Sequence, residues 1–159
     1  MNITVLCIGK CKEKYLVEAC KEYAKRLQGF CKFDLTELDE VRASDNPSEK
    51  EIGKVLEGEG KRILEKIPAK ASVVALCIEG KQWSSNELSS FLEEEPIMGC
   101  SHIVFVIGGS FGLWDEVKKR AKVKLSFSKM TFPHQLFRVL LLEQIYRGFQ
   151  ISHGTKYHK

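Results

Sequence analysis

No two cysteines of this chain stand as C-x-x-C; the six are scattered along 159 residues. A zinc site or a disulfide framework needs tighter grouping. Cys7 and Cys77 lie in apolar, strand-like runs, where a free thiol behaves as a small hydrophobe. All six are expected to be reduced and unligated, with no metal site. No apolar run approaches the roughly 20 residues that cross a bilayer. The opening stretch, Met1 to Gly9, has no positive leader and too short an apolar segment for a signal peptide, which predicts a cytoplasmic protein. Neither G-x-G-x-x-G nor a P-loop occurs, and there is no internal repeat, low-complexity segment or linker. Acid is nearly missing from one end. From Val117 onward, Glu143 is the one acidic residue against ten lysines and arginines.

That end therefore carries +9 of a chain whose net charge is +4, leaving −5 on the first 116 residues. The asymmetry suggests a polyanion at one end of the molecule, and a solvated basic face would read the same way. Hydrophobic residues make up 43% of the chain and charged ones 29%, enough for one folded core, so residues 1–159 are expected to form a single domain.

Strand and helix signals alternate throughout. Asn2–Ile8 is rich in β-branched residues and ends at Gly9. Glu13–Leu27 repeats apolar residues at helical spacing, with Gly29 just beyond. Lys32–Leu38 alternates like a half-buried strand. Ser48-x-x-Glu51 is a capping box that opens a helix stopped at Pro68, with Gly58 and Gly60 weakening its middle. Ser72–Ile78 and His102–Ile107 are continuous apolar runs, the mark of buried parallel strands. Ser84-x-x-Glu87 opens a helix that should end by Pro96. Trp114–Ala121 reads as a short helix and Val123–Phe127 as a strand. Thr131 is the expected cap of the last helix, with Pro133 in its first turn and an end near Gln150. The pattern predicts an α/β fold, a mostly parallel sheet of about five strands with helices on both faces.

The last helix is apolar nearly all round, from Leu136 to Phe149. Such a helix must be covered on every side. One sheet covers one face, so a second subunit or central burial within the monomer must cover the rest.

Two glycine- and hydroxyl-bearing loops follow buried strands. Gly108-Gly109-Ser110-Phe111-Gly112 fits G-x-S-x-G, the nucleophile elbow of serine hydrolases, but Glu143 is the only acid far enough beyond it to serve. Paired glycines at the carboxyl edge of a strand also allow a flat ligand to approach the backbone. Leu125–Phe132 leads into a helix N-terminus whose amides point outward, with Met130 and Phe132 as apolar surface. His134 sits in that helix's first turn, where the dipole disfavours the imidazolium and leaves a ring able to accept a proton. The tail from Ser152 to Lys159 interleaves basic and aromatic residues, which suits stacking on an unpaired base together with phosphate contact.

Three strings together carry a resemblance. They are Val104-Phe105-Val106-Ile107-Gly108-Gly109-Ser110-x-Gly112, Leu125-Ser126-Phe127-Ser128-Lys129-Met130-Thr131-Phe132-Pro133-His134-Gln135, and Arg138-Val139-x-Leu141-x-Glu143-Gln144-Ile145-Tyr146-Arg147, completed by Tyr157-His158-Lys159. The chain resembles SPOUT-class RNA methyltransferases of the RlmH type over its whole length. The resemblance implies a sheet whose C-terminal part threads a trefoil knot, a rare exception to unknotted topology. It implies S-adenosylmethionine as cofactor, held by Leu76, Gly108, Phe127, Ser128, Lys129, Met130, Thr131 and Phe132. The implied reaction is methylation of N3 of a pseudouridine in large-subunit (23S) ribosomal RNA by a homodimer whose cofactor site lies near the subunit interface. His158, Tyr157 and His134 are the candidate bases or orienting groups, unranked. Arg147, Lys156 and Lys159 are the candidate RNA contacts.

Overall fold

Runs of apolar sequence become strands buried on both faces, and the amphipathic segments between them become the covering helices. The computed structural model describes residues 1–159. Strands β1 (Asn2–Ile8), β2 (Lys32–Leu38), β3 (Ser72–Gln82), β4 (His102–Ile107) and β5 (Val123–Ser126) form one sheet in the order β2-β1-β4-β3-β5. Every neighbouring pair is parallel. The helices are α1 (Lys14–Leu27), α2 (Glu49–Lys66), α3 (Ser85–Ile97), α4 (Asp115–Arg120) and α5 (His134–Ser152). Alternation along the strands divides the core. Ile3, Val5 and Cys7 of β1 pack with α1, α3 and α5, while Leu6 and Ile8 pack with Ile63 of α2 and Val117 of α4. All six cysteines are free. No helix is long and apolar enough to cross a membrane.

Both capping boxes begin helices where their spacing predicts. Ser48 Oγ accepts from the Glu51 amide at 3.2 Å. Ser84 and Glu87 satisfy each other reciprocally, at 3.1 and 2.7 Å. The last helix departs from expectation. Thr131 does not cap it; Pro133 holds the cap position and the first helical bond runs from Phe137 N–H to Pro133 C=O at 2.9 Å. Proline's ring carries no hydrogen-bond acceptor, so no side-chain cap forms. Thr131 stays in the preceding loop. The helix also runs two residues past Gln150, to Ser152. Strand β3 is longer than Ser72–Ile78 because it bulges. Its ladder to β4 ends at Leu76, and after a register shift Lys81 and Gln82 pair again with β5. Pro96 lies inside the final turn of α3, which closes at Ile97.

Helix α5 is covered within the chain more fully than one sheet alone would allow. Leu141, Leu142, Ile145 and Phe149 are buried in the cluster that α1 and α3 share. Ser89 Oγ of α3 donates to the Gly148 carbonyl at 2.7 Å. What stays uncovered is the first half, where Leu136 is 38% exposed and Phe137, Val139 and Leu140 are partly so.

A cation sits inside this apolar packing. Arg138 of α5 is 1% exposed. Its Nη1 donates to Glu37 Oε2 at the end of β2 at 2.7 Å, and its Nη2 donates to the Ile8 and Gly9 carbonyls at 3.1 and 2.8 Å. Replacing Arg138 by methionine keeps the packing volume and lets the 36% exposed Glu37 turn to water, but strands the Ile8 and Gly9 carbonyls. A buried acceptor left without its donor costs about 1–3 kcal/mol, and urea unfolding of Arg138→Met should show that loss. Glu37→Gln keeps an acceptor for Nη1 but leaves the 1% exposed guanidinium without a countercharge, so it too should destabilise the fold.

Candidate functional site

The carboxyl edges of β3, β4 and β5 open into a cleft of about 770 Å³. Ligands of open parallel sheets bind at such edges. Leu76 ends the β3–β4 ladder, and Gly108 follows β4 directly. The 125–134 segment closes the far wall. Leu76, Gly108, Phe127, Ser128, Met130, Thr131 and Phe132 all line this one cleft, and His134 and Phe137 from the start of α5 join them. Lys129 does not line it; its side chain is exposed to solvent. Phe127 stacks edge-on against Phe137 at 4.9 Å, and Phe132 lies 6.0 Å from the same ring.

The two loops offer backbone rather than charge. Gly109 is bridged to Gly112 across the turn, and none of the amides of Gly108, Ser110 and Phe111 donates to a backbone carbonyl. Between Phe127 and Phe132 the engaged amide is that of Met130, which donates to Ser128 Oγ at 3.0 Å. Unengaged N–H groups beside apolar side chains suit a flat heterocycle read at its edge. Gly108 is required by the turn itself. A Cβ there would meet the Gly112 carbonyl carbon at 2.7 Å and crowd its oxygen. A larger residue at 108 thus breaks the loop before it meets any ligand.

The nucleophile-elbow reading finds no support in the geometry. Ser110 is exposed, and the hydrogen bonds of the other histidines go elsewhere: His102 to Thr4, His153 to the Phe149 carbonyl, His158 to Arg147. His134 lines the cleft, and its pKa lies below the usual histidine value because neighbouring groups desolvate it and the Arg138 guanidinium is close. Both favour the neutral imidazole.

The tail residues assemble elsewhere, around Glu143. This carboxylate accepts from Arg147 Nε at 2.9 Å and from the Tyr157 hydroxyl at 3.1 Å. The Arg147 guanidinium stacks over the Tyr157 ring at 4.8 Å and reaches His158 Nδ1 at 3.4 Å. Burial, then Tyr23 and Glu143, push the Tyr157 phenol up to about 12. Arg147 stands thirteen positions after His134, about 20 Å along the helix axis. Tyr157, His158 and Arg147 are therefore together, while His134 is apart from them. Lys156 and Lys159 are exposed beside the group. A shallower groove of about 360 Å³, walled by Trp83, Leu140, Glu143 and Gln144, adjoins the cleft by sharing Leu125 and Phe127.

Sequence reasoning passed over Glu143 as the hub. Its i,i+4 spacing to Arg147 is the signal that marks it. The positive count of the C-terminal part is also reduced by pairing. Lys118 bonds Glu79, Lys119 bonds Glu116, Lys122 bonds Glu95, Arg138 bonds Glu37 and Arg147 bonds Glu143. Lys124, Lys129, Lys156 and Lys159 have no acidic partner. No three His, Cys, Asp or Glu side chains come close enough to hold a metal ion.

Glu143→Gln removes a negative charge and an acceptor beside Tyr157. Absorbance titration, read against Tyr157→Phe, should show the phenol falling part of the way from about 12 toward the ordinary tyrosine value.

Residues 1–158 match the family model described as Predicted SPOUT methyltransferase. Over 159 residues, covering all of both chains, the protein is 54% identical to "Ribosomal RNA large subunit methyltransferase H 1" of Clostridium perfringens strain SM101. Over the same full span it is 53% identical to "Ribosomal RNA large subunit methyltransferase H" of Clostridium acetobutylicum. Among solved structures, a probable methylase family protein from Haemophilus influenzae Rd KW20 superposes with a TM-score of 0.53 at 12% identity, over 99% of this chain and 70% of that one. That last likeness concerns the fold alone.

Proposed function

The chain belongs to the SPOUT methyltransferase family, and from this we propose that it is a cytoplasmic, S-adenosylmethionine-dependent methyltransferase acting on N3 of a pseudouridine in large-subunit ribosomal RNA. The observation that carries the reading is the cleft: two loops of unengaged amides around apolar walls, at the edge where the sheet's strands end. Full-length relatives above 50% identity bear the name of large-subunit ribosomal RNA methyltransferases.

The residues present fit the cofactor. Adenine needs amides and carbonyls at its edge and flat apolar contact on its faces. The Gly108–Phe111 and Phe127–Phe132 backbones supply the first; Leu76, Phe127 and Phe132 supply the second. Lys129 contributes its backbone within the same loop. A cleft of this size falls in the usual range for small-molecule sites, about 300–1,000 Å³. When bound, S-adenosylmethionine supplies an electrophilic methyl group. The chain's own task is to hold the ring nitrogen in line with it at about 3–3.5 Å, and much of the rate should come from that alignment.

N3–H must also lose its proton. Neutral His134 can accept one within the cleft, and the Arg147–His158–Tyr157 group can accept one or orient the base. Tyr157 holds its proton at neutral pH, so its part is to donate a hydrogen bond or to stack. The two sets stand at different places along α5, which favours a homodimer in which one subunit's tail reaches its partner's cleft. The partly exposed Leu136, Phe137, Val139 and Leu140 offer an apolar surface beside the cleft for that contact. Arg147, Lys156 and Lys159 would then meet RNA phosphate. The trefoil knot and a single domain over residues 1–159 belong to the same reading. The 126–133 segment passing over Leu76 and the glycine turn is consistent with a threaded C-terminus.

Calorimetry should detect S-adenosylmethionine binding at micromolar protein. Thr131→Trp should abolish it by filling the cleft without breaking a hydrogen bond of the fold. No binding by the wild type would end the cofactor reading.

Deleting Tyr157–Lys159 should leave cofactor affinity within a few-fold and strip most ribosomal RNA methylation. RNA binding should weaken with salt by roughly 0.7–0.9 log units per log salt for each phosphate contacted. Normal methylation by the truncated protein would shift the proton's acceptor to His134. Sedimentation should give about twice 18.1 kDa.

A further inference from the structure

The Gly58-Glu59-Gly60 step in the middle of α2 costs helix stability, about 0.5–1 kcal/mol for each glycine relative to alanine. The packing shows what the glycines permit. A Cβ on Gly58 would touch Val41 at 3.0 Å, and one on Gly60 would strike Trp114 at 2.6 Å. Val41 follows β2, and Trp114 ends the loop that begins at Gly108. The two glycines thus let both loops sit directly on the helix, with Glu59 between them.

Glu59 is 4% exposed. Its Oε1 accepts from the Val41 amide at 3.1 Å, and its Oε2 is buried without any donor. Oε2 faces Gly109, where a Cβ would lie 3.0 Å from it. A buried carboxylate oxygen with no donor is costly, and the charged form is costlier there than the protonated one. Glu59 does not line the cleft, yet it backs the glycine turn that does.

We propose that Glu59 is a positioning residue of the cleft, whose buried carboxyl backs the Gly108–Gly112 turn and holds it in its ligand-binding shape, the orphaned Oε2 favouring the protonated form. The inference rests on the cofactor reading given above. Burial raises the Glu59 pKa above the ordinary value, the Val41 amide opposes the shift, Glu40 adds to it and Arg62 opposes it. Glu40 stands on the β2–α2 loop; Arg62, one turn along α2, spends its guanidinium on the Asp39 carbonyl. The glycine turn and Ile8 bring no charge to the carboxyl. A ligand seated on the far side of the turn lowers the local polarity further, so binding should draw a fraction of a proton onto Glu59.

The sign follows from linkage. A raised carboxyl pKa means the fold is most stable where Glu59 is protonated and loses stability as pH rises from the ordinary value through the raised one. Glu59→Gln keeps the shape and removes the titration. Its melting temperature should exceed the wild type's by about 2–4 °C at pH 7, and the gain should vanish toward pH 4. An offset equal at every pH overturns the neutral-carboxyl claim.

Binding of S-adenosylhomocysteine, the demethylated product, completes the test. Glu59→Gln should bind like the wild type, and Glu59→Leu about tenfold more weakly, the worth of one misplaced hydrogen bond. Calorimetry in two buffers of different ionisation heat should show uptake of a fraction of a proton by the wild type that Glu59→Gln lacks. His134 faces the cleft in both proteins and cancels in the comparison. Normal binding by a folded Glu59→Leu, or equal proton uptake by the two, overturns this inference alone. Absence of binding by the wild type overturns the cofactor reading and this inference with it.

Discussion

The Arg138 guanidinium ties the fold together at the point where function begins. It joins the start of α5 to the carboxyl ends of β1 and β2 across more than a hundred residues of chain. Its neighbour Phe137 and, one turn earlier, His134 form part of the cleft wall. Their placement therefore depends on a fully buried cation and on two backbone carbonyls that β1 has no further strand to receive. An apolar residue would pack there. It would not fix the rotation of α5 about its axis, because dispersion contacts have no direction while three hydrogen bonds do.

The cleft uses the opposite principle. Around Gly108–Phe111 and Phe127–Phe132 the backbone is left unengaged and side-chain charge is sparse. Specificity there comes from amides held at fixed positions by what lies behind them: the glycine turn on α2, and the 125–134 segment on α5. The charged tail group at the far end of α5 is built the other way, from a carboxylate, a guanidinium, a phenol and an imidazole in mutual contact.

Much of this was legible in the residues. Parallel strands followed from continuous apolar runs, and both capping boxes marked helix starts because a serine and a glutamate three positions apart leave little else to do. What sequence could not show was anything decided by the third dimension. Thr131 has the right chemistry for a cap, but Pro133 imposes the start. Gly108 looked like room for a ligand, and it is room for Gly112. The surplus of lysines and arginines after Val117 looked free, and half of those side chains are paired with acids near or far in sequence. Glu59 was invisible as anything but a helix residue, since nothing in a linear string says that its two flanking glycines admit loops from β2 and β4.

The strand order carries a consequence for how the chain comes into being. Asn2 pairs with His102 and Cys7 with Ile107, so the middle of the sheet joins the first strand to the fourth. Those partners are about a hundred residues apart, and loop closure over such a span slows folding. At a synthesis rate of roughly 5–20 residues per second, β1 emerges about 5–20 s before β4 exists to lie beside it. Through that interval one long edge of β1, with Ile3, Val5 and Cys7 on one face and Leu6 and Ile8 on the other, has no permanent neighbour. The nascent N-terminal half thus leaves that edge and its apolar side chains open until β4 arrives.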